Sequence, residues 1–352
     1  MFKFLNKPYR MAILVTLAIV SFSIFVLLDT FVIPKEIGNS VNNNTNTEII
    51  SNDLSDTTDI ANNSSDTDST DDSDNLTNDD SDNLTSIDAN DTNNDSTSNL
   101  STSITTPIIT DTSYDDENIK ISITTKRENN TTYYVADIVL SDSSLLKTAF
   151  ANNNYGRNIK DTTSNISADN NAILAINGDF YGFRNSGYVL RNGMSYRNTQ
   201  STDLTGEDLV ITSTGDFKII NENETSLNDL ESQNVSQVIS FGPALVINGE
   251  STVDEDDEVG KAKASNPRTT IGQIDTLHYI MIVSDGRTSE SEGFSLKELS
   301  NILIEEGCVT AYNLDGGGSS TMVFNGEVIN KPTTNGKTIS EREVSDIVYI
   351  GY

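Results

Sequence analysis

The sequence predicts a strand-rich domain of mixed α/β or α+β class, preceded by one transmembrane helix and a disordered segment. Three observations support this fold class: an apolar run near the N-terminus, a polar stretch with few aromatic residues, and a long C-terminal part in which short β-branched runs alternate with turn residues. The chain has 352 residues and a formal net charge of −31. We therefore divide it into residues 1–34, 35–113 and 114–352.

The first segment has the features of a membrane anchor. Lys3, Lys7 and Arg10 precede an apolar run from Met11 to Leu28, which is just long enough to cross the hydrocarbon core. Positive charges favour the cytoplasmic side. We predict an uncleaved single span in the cell membrane, with a cytoplasmic N-terminus and the rest outside. A cleaved signal peptide is the alternative. The Asn- and Ile-rich composition suggests a Gram-positive bacterium.

Residues 35–113 consist mostly of Asn, Asp, Ser and Thr, and no Lys or Arg occurs between Lys35 and Lys120. The sequence DDSDNLTN at Asp71–Asn78 is followed by DDSDNLTS at Asp79–Ser86, which is a low-complexity repeat. Such a composition cannot bury enough apolar surface to offset the conformational entropy of folding. We therefore expect a disordered acidic stalk. The negative charge of the chain also argues against nucleic acid as a partner.

Residues 114–352 show strand signals over most of their length, with Asn-Gly and Thr-Gly pairs that are typical of turns. One helix is predicted, from a capping box of Ser295 and Glu298 to Gly307. A segment of this length can hold a single core, so we predict one domain. The predicted strands are Ile119–Thr125, Tyr133–Leu140, Ala172–Asn177, Gly187–Leu190, Leu209–Thr212, Phe217–Ile220, Val235–Phe241, Ala244–Ile247, Arg268–Ile274, Leu277–Ser284, Thr310–Leu314 and Thr321–Phe324.

Two residue types are nearly missing, and this restricts the chemistry. His278 is the only histidine and Cys308 the only cysteine. A Ser-His-Asp triad would need His278 as its base, but this residue lies in an apolar run, where we expect a packed side chain. Zinc sites of His and Cys are excluded for want of ligands, and Cys308 has no disulfide partner. We expect no metal and no cofactor, and a reaction that depends on carboxylates, arginines and main-chain amides.

A loop rich in glycine and hydroxyl residues follows the strand that ends near Leu314. Successive glycines lose more backbone entropy on folding than other residues, so they suit a place where the main chain approaches a ligand closely. A nest of main-chain amides of this kind binds phosphate. The alternative is a tight turn between two strands. The loop consists of Asp315, Gly316, Gly317, Gly318, Ser319, Ser320 and Thr321.

Three predicted strands end near a carboxylate that adjoins a glycine: Asp179, Asp285 and Asp315. Side chains at strand ends often form an active site at the edge of a sheet, although each Asp-Gly or Gly-Asp pair alone is more often a turn. Arg268 and Arg287 are the nearest cations, and a planar guanidinium suits a phosphate. The three carboxylates are therefore candidate catalytic residues, and the two arginines are candidate phosphate ligands.

Five blocks of the third segment stand in order: Asn177–Tyr181, Gly187–Gly193, Pro267–Gly272, Ser284–Arg287 and Asn313–Met322, followed by Glu341–Val344. Together they resemble the phosphodiester glycosidase family. The resemblance implies hydrolysis of a sugar-1-phosphodiester at the sugar–oxygen bond, which frees the sugar and leaves a phosphomonoester. It adds Asn177 and Arg342 to the candidate substrate-binding residues. For a tethered extracellular enzyme we expect a cell-surface glycan or glycopolymer as substrate.

That reaction does not require a histidine. A phosphomonoester has a second pKa near about 6, so it leaves without a strong general acid. Arginines and amides would stabilise the developing charge, while a carboxylate attacks the anomeric carbon or activates water. Two alternatives remain. One is a phosphodiesterase that cuts the P–O bond; the other is a non-catalytic cell-wall glycan-binding or exopolysaccharide protein, which the lack of Trp disfavours.

Overall fold

The computed structural model describes residues 8–37, 106–202, 206–254 and 265–352. These residues form an apolar N-terminal helix and a strand-rich domain, as the sequence predicts. The predicted disordered stalk, including its DDSDNLT repeat, lies almost wholly outside the described residues.

The elements are mostly short strands joined by turns. The helices of the described residues are α1 (Pro8–Phe31), α2 (Thr163–Asp169), α3 (Leu227–Ser232) and α4 (Leu296–Glu305). The strands are β1 (Lys35–Glu36), β2 (Ile108–Ile109), β3 (Ser113–Asp115), β4 (Ile119–Glu128), β5 (Thr131–Leu140), β6 (Leu146–Phe150), β7 (Gly156–Arg157), β8 (Leu174–Asn177), β9 (Val189–Arg191), β10 (Met194–Arg197), β11 (Glu207–Thr212), β12 (Phe217–Asn221), β13 (Val235–Ile239), β14 (Ala244–Ile247), β15 (Glu250–Ser251), β16 (Thr269–Asp275), β17 (His278–Ser284), β18 (Thr310–Asn313), β19 (Met322–Phe324), β20 (Glu327–Val328) and β21 (Asp346–Ile350).

The described strands form three larger sheets and a two-stranded pair of β1 and β7. Nine strands lie in the order β15-β14-β18-β16-β17-β5-β4-β3-β2, five in the order β10-β9-β13-β11-β12, and five in the order β20-β19-β8-β21-β6. The pairings are antiparallel. Antiparallel sheets need no helical crossovers, so the predicted mixed class is α+β here.

The hairpin of β4 and β5 shows why the sequence forms these strands. Ile119, Ile121 and Ile123 are buried and alternate with exposed residues along β4, which places every second side chain in the core. Asn129 and Asn130 join the strands with φ of 44° and 57°. Asparagine tolerates this left-handed conformation, which a two-residue hairpin turn of the matching twist requires.

The predicted helix is confirmed as α4, with the predicted capping box. The Ser295 Oγ accepts the N–H of Glu298, and the Glu298 carboxylate accepts the N–H of Ser295. Leu299 and Leu303 are buried in the same cluster as Cys308. Burial raises the pKa of the free Cys308 thiol to about 12, so the cysteine is unreactive.

His278 is less buried than the sequence predicts. It begins β17 instead of lying inside it, its side chain is 30% exposed, and its Nε2 lies 3.1 Å from Oδ1 of Asp137. The preceding Leu277 has a φ of 56°, so the apolar run includes a turn that brings His278 to the surface. At about 3.4 Å per residue, β17 places His278 roughly 20 Å from the end that leads to Asp285.

The chain joins the domain earlier than the predicted boundary at residue 114. Lys35 of β1 lies opposite Arg157 of β7, and the N–H of Ile37 donates to the carbonyl of Tyr155 at 3.2 Å. β2 also precedes the boundary and pairs with β3. Strands of two residues are too short for a hydrophobic period to identify them.

Candidate active site

Three carboxyl groups come together where two sheets meet. Asp315 follows β18 of the nine-stranded sheet, Asp179 follows β8, and Asp346 begins the neighbouring strand β21. The N–H of Asp315 donates to the carbonyl of Gly178 at 3.2 Å. This main-chain hydrogen bond joins the two sheets. Two of the predicted catalytic residues, Asp315 and Asp179, therefore lie on adjoining segments.

Asp315 is held by a cation and a hydroxyl. Its Oδ2 lies 2.8 Å from Nη2 of Arg342 and accepts a hydrogen bond of 2.6 Å from Ser319 Oγ. The Asp315 side chain is 14% exposed and that of Arg342 is 39% exposed, so both are accessible to a ligand. Burial raises the pKa of Asp315, while the Arg342 charge and the Ser319 hydrogen bond oppose that shift.

Asp179 is more deeply buried and is surrounded by donors. Its Oδ1 accepts the N–H of Tyr181 at 2.9 Å. Its Oδ2 accepts Nη2 of Arg191 at 2.7 Å and the N–H of Ser240 at 3.1 Å. Since Asp179 is only 2% exposed, these three donors replace the water that the carboxylate has lost.

Arg191 also binds the third carboxyl group. Its Nη2 lies 3.0 Å from Oδ2 of Asp346, and both side chains are almost fully buried. Burial, and next the negative charge of Asp179, raises the pKa of Asp346 well above its usual range. Arg191 therefore bridges two buried carboxyl groups, Asp179 and Asp346. A β-carbon on Gly178 would clash with the Asp346 carboxyl group, so close packing requires this glycine.

A second acidic pair lies behind Asp179. Glu222 accepts the N–H of Tyr188 at 3.0 Å and the Ser240 Oγ at 3.2 Å, and Ser240 in turn donates its N–H to Asp179. Asp208 is fully buried. Burial, and next the charge of Glu222, raises the pKa of Asp208 well above its usual range.

A cavity of about 240 Å³ opens over Asp315 and Asp179; we call it the Asp315 cavity. It is smaller than the roughly 300–1,000 Å³ typical of sites for drug-sized ligands, so it suits a small polar group. Lys160 supplies a second cation, with Nζ 2.6 Å from Oε2 of Glu343. The lining residues are Lys160, Asp179, Phe180, Phe183, Asp315, Ser319, Arg342, Glu343, Val344 and Ser345.

The glycine loop stays a predicted phosphate nest, although most of its amides are bonded within the protein. It folds into a 3₁₀ turn at Gly317–Ser319, and besides the N–H of Asp315 four of its N–H groups are used inside the protein. Asp315 and Ser319 are the residues of this loop that line the cavity. The four N–H groups donate from Gly317 to Pro267 O (2.8 Å), Ser319 to Gly316 O (3.3 Å), Ser320 to Gly317 O (3.2 Å) and Thr321 to Asn177 Oδ1 (3.2 Å).

Three predicted substrate ligands are fully buried and do not line the Asp315 cavity. Asn177 is fully buried, and its Nδ2 donates to the carbonyl of Asp315 at 2.7 Å. Its Oδ1 accepts the Thr269 hydroxyl at 2.8 Å. Ser320 and Thr321 are also fully buried. Asn177 thus fixes the position of Asp315 from the core side, away from the cavity.

Arg268 and Arg287 do not line the Asp315 cavity. Arg268 is buried, and its Nε donates to the carbonyl of Phe294 at 2.8 Å. Arg287 donates from Nη2 to Oδ1 of Asn266 at 3.1 Å. Arg287 also packs on the glycine loop, because a β-carbon on Gly317 would lie 2.7 Å from its Nη2. Gly316 and Gly318 are likewise packed against neighbouring segments. The cations that line the cavity are Arg342 and Lys160.

Asp285 lies in a different cavity of about 400 Å³, which we call the Asp285 cavity. Its Oδ1 accepts the N–H of Lys331 at 2.7 Å, and burial raises its pKa. No lining residue is shared with the Asp315 cavity among the described residues. The Asp285 cavity is lined by Thr132, Tyr134, Asp285, Thr288, Ser289, Glu290, Ser291, Lys331, Gly336 and Ile339.

The sequence analysis missed Arg191, Asp346 and Lys160. Arg191 stands within one of the blocks that resemble the family, at the end of β9, which offered a signal. The signal for Asp346 is weaker, because this residue only precedes an apolar run. Lys160 has no motif around it. Within the described parts of the chain, no three His, Cys, Asp or Glu side chains converge as metal ligands would.

The fold and the cavity define a class: a strand-rich domain with paired carboxyl groups and cations at a sheet junction, a combination that suits an anionic sugar. The model of the phosphodiester glycosidase family matches residues 170–351, just over half of the chain. The chain belongs to that family.

Curated relatives match part of the chain. Human N-acetylglucosamine-1-phosphodiester alpha-N-acetylglucosaminidase is 31% identical over 174 residues, which cover 46% of this chain and 33% of the human protein. The SPbeta prophage-derived uncharacterized protein YomE of Bacillus subtilis is 27% identical over 203 residues, 56% of this chain and 31% of that protein. The chain therefore spans about a third of the length of these relatives.

A solved structure supports the fold. The zebrafish N-acetylglucosamine-1-phosphodiester alpha-N-acetylglucosaminidase catalytic domain, auto-inhibited by its pro-peptide, aligns with a TM-score of 0.54 and 18% identity. The alignment covers 66% of this chain and 83% of that domain. At this identity the likeness shows a shared fold.

Proposed function

We propose that this protein hydrolyses a sugar-1-phosphodiester at the sugar–oxygen bond, and that the reaction takes place in the Asp315 cavity. The observation that carries the proposal is the pair of Asp315 and Arg342, 2.8 Å apart and both accessible from one cavity. The carboxylate can act at the anomeric carbon, and the guanidinium beside it can bind the phosphate. The family and the human relative support the same reaction.

Arg342 and Lys160 are the proposed phosphate ligands. Both line the cavity, and each is held by a carboxylate, Arg342 by Asp315 and Lys160 by Glu343. A phosphodiester carries one negative charge, and its phosphomonoester product carries close to two at neutral pH. The two cations therefore bind the leaving group more strongly as the reaction proceeds, which stabilises the transition state.

Asp315 is the proposed catalytic carboxylate, in its ionised form. In the reaction the C1–O bond of the sugar breaks, the bridging oxygen stays on the phosphate, and water supplies the oxygen that ends on C1. Asp315 either attacks C1 or removes a proton from that water. Because the leaving phosphomonoester has a second pKa near about 6, it needs no strong acid.

Asp179 is the proposed electrostatic partner. Three hydrogen bonds use both of its oxygens, so it is poorly placed to give or take a proton. Its negative charge next to the cavity stabilises the oxocarbenium-like transition state of glycoside hydrolysis. The geometry gives less support to Asp285, which lies in the other cavity.

We further propose that α1 anchors the protein in a membrane, with the domain outside the cell and a cell-surface glycan or glycopolymer as substrate. Support comes from Met11–Thr30, whose mean hydropathy is 2.8 and none of which is buried. Lys3, Lys7 and Arg10 precede this span, which favours a cytoplasmic N-terminus. N-terminal sequencing of the membrane-bound protein tests whether the helix is retained.

Product analysis in H₂¹⁸O tests the reaction. The probe is the methyl diester of N-acetylglucosamine-1-phosphate, followed by ³¹P NMR. Cleavage at the sugar–oxygen bond gives free sugar and methyl phosphate without ¹⁸O on phosphorus. Cleavage at a P–O bond places ¹⁸O on phosphorus and would establish the rival phosphodiesterase activity. If no member of a panel of sugar-1-phosphodiesters is hydrolysed, the alternative of a glycan-binding protein remains.

A further inference from the structure

The apolar helix ends directly against the domain. α1 has 24 residues, so at 1.5 Å per residue it is about 36 Å long, slightly more than the roughly 30 Å of a hydrocarbon core. Residues 32–34 alone separate it from β1. Three residues span at most about 10 Å. The domain therefore begins next to the membrane surface, before the chain enters the long acidic segment at residue 38.

A buried side chain of the domain contacts the end of this helix. Asn158 is 3% exposed, and its Nδ2 donates to the carbonyls of Thr30 at 3.0 Å and Ile33 at 3.1 Å. The last carbonyls of a helix lack partners within the helix, so Asn158 caps α1. Lys35 adds an ion pair with Asp29 at 2.6 Å.

The surface that receives β1 is shaped for it. Lys35 and Glu36 pair with Arg157 and Gly156. A β-carbon on Gly156 would clash with the carbonyl oxygen of Lys35, so only glycine permits this approach. The contact between the helix end and the domain is therefore built into the domain sequence.

The segment from Asn158 to Lys160 connects the end of α1 to the Asp315 cavity. The N–H of Asn158 donates to the carbonyl of Gly182 at 3.2 Å. Gly182 precedes Phe183, which lines the cavity together with Phe180; their rings stack with centroids 4.6 Å apart. Lys160, also a lining residue, follows Asn158 by two positions, so their Cα atoms are within about 7 Å.

We infer that the Asp315 cavity acts at the bilayer surface on a lipid-anchored sugar-1-phosphodiester, whose second phosphate ester is to a membrane lipid. The inference rests on the proposed function and on anchoring by α1. The headgroup layer is about 5–8 Å thick on each side of the core, which matches the short path from α1 to Lys160. Phe180 and Phe183 are half-buried, and aromatic rings favour this interface.

The balanced reaction is the one already proposed. Water supplies the oxygen at C1, the sugar is released to the outside, and the lipid retains the phosphate as a phosphomonoester in the bilayer. Lys160 and Arg342 then contact a phosphate at headgroup level, where cations near the surface bind anionic lipids. A soluble glycopolymer is the competing substrate.

The first experiment separates the domain from the membrane. Full-length protein is reconstituted in vesicles of phosphatidylcholine with one fifth phosphatidylglycerol. The substrates are the hexadecyl and methyl diesters of N-acetylglucosamine-1-phosphate, at equal bulk concentration. A Gly-Ser linker of about 20 residues, with a root-mean-square span of about 25 Å, is inserted between Ile33 and Pro34. The matched control carries the same linker in the exposed turn between Asp275 and Thr276.

We expect the unaltered protein and the control to favour the hexadecyl diester at least about tenfold. The Ile33–Pro34 linker should bring this ratio close to one while hydrolysis of the methyl diester continues. An unchanged ratio in that variant would overturn the inference, and so would equal rates on the two diesters in the unaltered protein.

A second measurement does not depend on turnover. Asn185 is exposed and lies two residues beyond Phe183, and Cys308 is buried, so Asn185→Cys can be labelled selectively with a fluorescent donor. We expect strong energy transfer to a headgroup-labelled lipid acceptor and a severalfold loss with the Ile33–Pro34 linker. Weak transfer without the linker would contradict a site at the bilayer. If neither diester is hydrolysed, the proposed reaction is wrong. The energy transfer still shows whether the Asp315 cavity lies at the bilayer surface.

Discussion

The Asp315 cavity and the Asp285 cavity start from the same local sequence. In both, a strand of the nine-stranded sheet ends close to an Asp-Gly pair, and burial raises the pKa of the aspartate. Their surroundings differ. Asp315 meets the side chains of Arg342 and Ser319, whereas Asp285 accepts the main-chain N–H of Lys331.

An aspartate at the end of a strand is therefore a candidate catalyst only because of its tertiary partners. Arg342 comes from a distant part of the chain and adds a positive charge to the Asp315 cavity. At Asp285 a main-chain amide satisfies one carboxylate oxygen, and the ammonium group of the nearby Lys331 pairs with Glu290 at 3.5 Å. Behind the Asp315 cavity, Arg191 also joins Asp179 to Asp346. The Asp315 cavity thus has the charges that a phosphodiester reaction requires.

The largest expected effect is on stability, from the buried charge cluster. Arg191→Gln would leave Asp179 and Asp346 buried without their cation, so we expect a loss of about 3–5 kcal/mol in the free energy of unfolding. Chemical denaturation of the purified protein measures it. Arg127→Gln, at an exposed arginine, is the control and should cost less than about 0.5 kcal/mol. A loss below 1 kcal/mol for Arg191→Gln would mean that the cluster contributes little.

The next effect compares the two aspartates directly. Asp315→Asn keeps shape and removes the charge, so we expect kcat to fall at least about a hundredfold, the low end for losing an acid–base group. Asp285→Asn should change kcat by less than about threefold. A thermal melt of each variant separates folding defects from catalytic ones. If Asp285→Asn is the more damaging in kcat, the assignment of the active cavity is wrong.

A smaller effect distinguishes the arginines. Arg342→Lys replaces a fork that contacts both Asp315 and Ser319 by a point charge, and one such charged hydrogen bond is worth about 1.5–3 kcal/mol. We expect kcat/KM to fall about tenfold or more. Arg287→Lys, at a residue that packs on the glycine loop from outside the cavity, should retain most of its kcat/KM. Equal losses of kcat/KM in the two variants would indicate that Arg287 also binds the phosphate.

The smallest effect tests whether burial of an acid is by itself a sign of catalysis. The pKa of Asp208 is raised in the folded protein by burial, then by Glu222, while its unfolded value is about 3.9. Such a group stabilises the fold most below the unfolded pKa, and this contribution is lost as pH rises towards the folded pKa. Asp208→Asn cannot ionise.

The melting temperature of Asp208→Asn relative to wild type should therefore increase as pH is raised from about 4 to 8. We expect a gain of a few degrees, since 1 kcal/mol corresponds to about 2–4 °C in a domain of this size. The kcat should remain within about threefold. A relative melting temperature that does not change with pH would show that Asp208 is not protonated in the folded protein.

Much of the fold was predictable because its signals are local. The alternating isoleucines of β4, the Asn129-Asn130 turn and the capping box of α4 each depend on a few neighbouring residues. Strands β3, β6, β10 and β21, the two-residue strands and the short helices α2 and α3 were missed. A run such as Asp346–Ile350 is buried on both faces, so it lacks the alternation that identifies a strand.

The site was predictable in part. Asp315 and Arg342 lie in motifs and do meet. The glycines of the loop indicate close packing, but the sequence could not say against what. The structure packs them against Pro267, Arg287 and Thr334, and the amides of Gly317 and Ser320 are used within the protein. A glycine run therefore predicts a close approach without identifying the partner.

The sequence by itself determined the strand-rich class, the apolar helix, the family resemblance and the dependence on carboxylates and arginines, because composition and short periodic patterns are properties of the chain alone. Tertiary structure decided which aspartate meets a cation, that Arg191 holds two carboxyl groups, and that the end of α1 rests on Asn158. These contacts join residues 12 to 155 positions apart. Such pairings depend on how three sheets pack, and no local pattern encodes that.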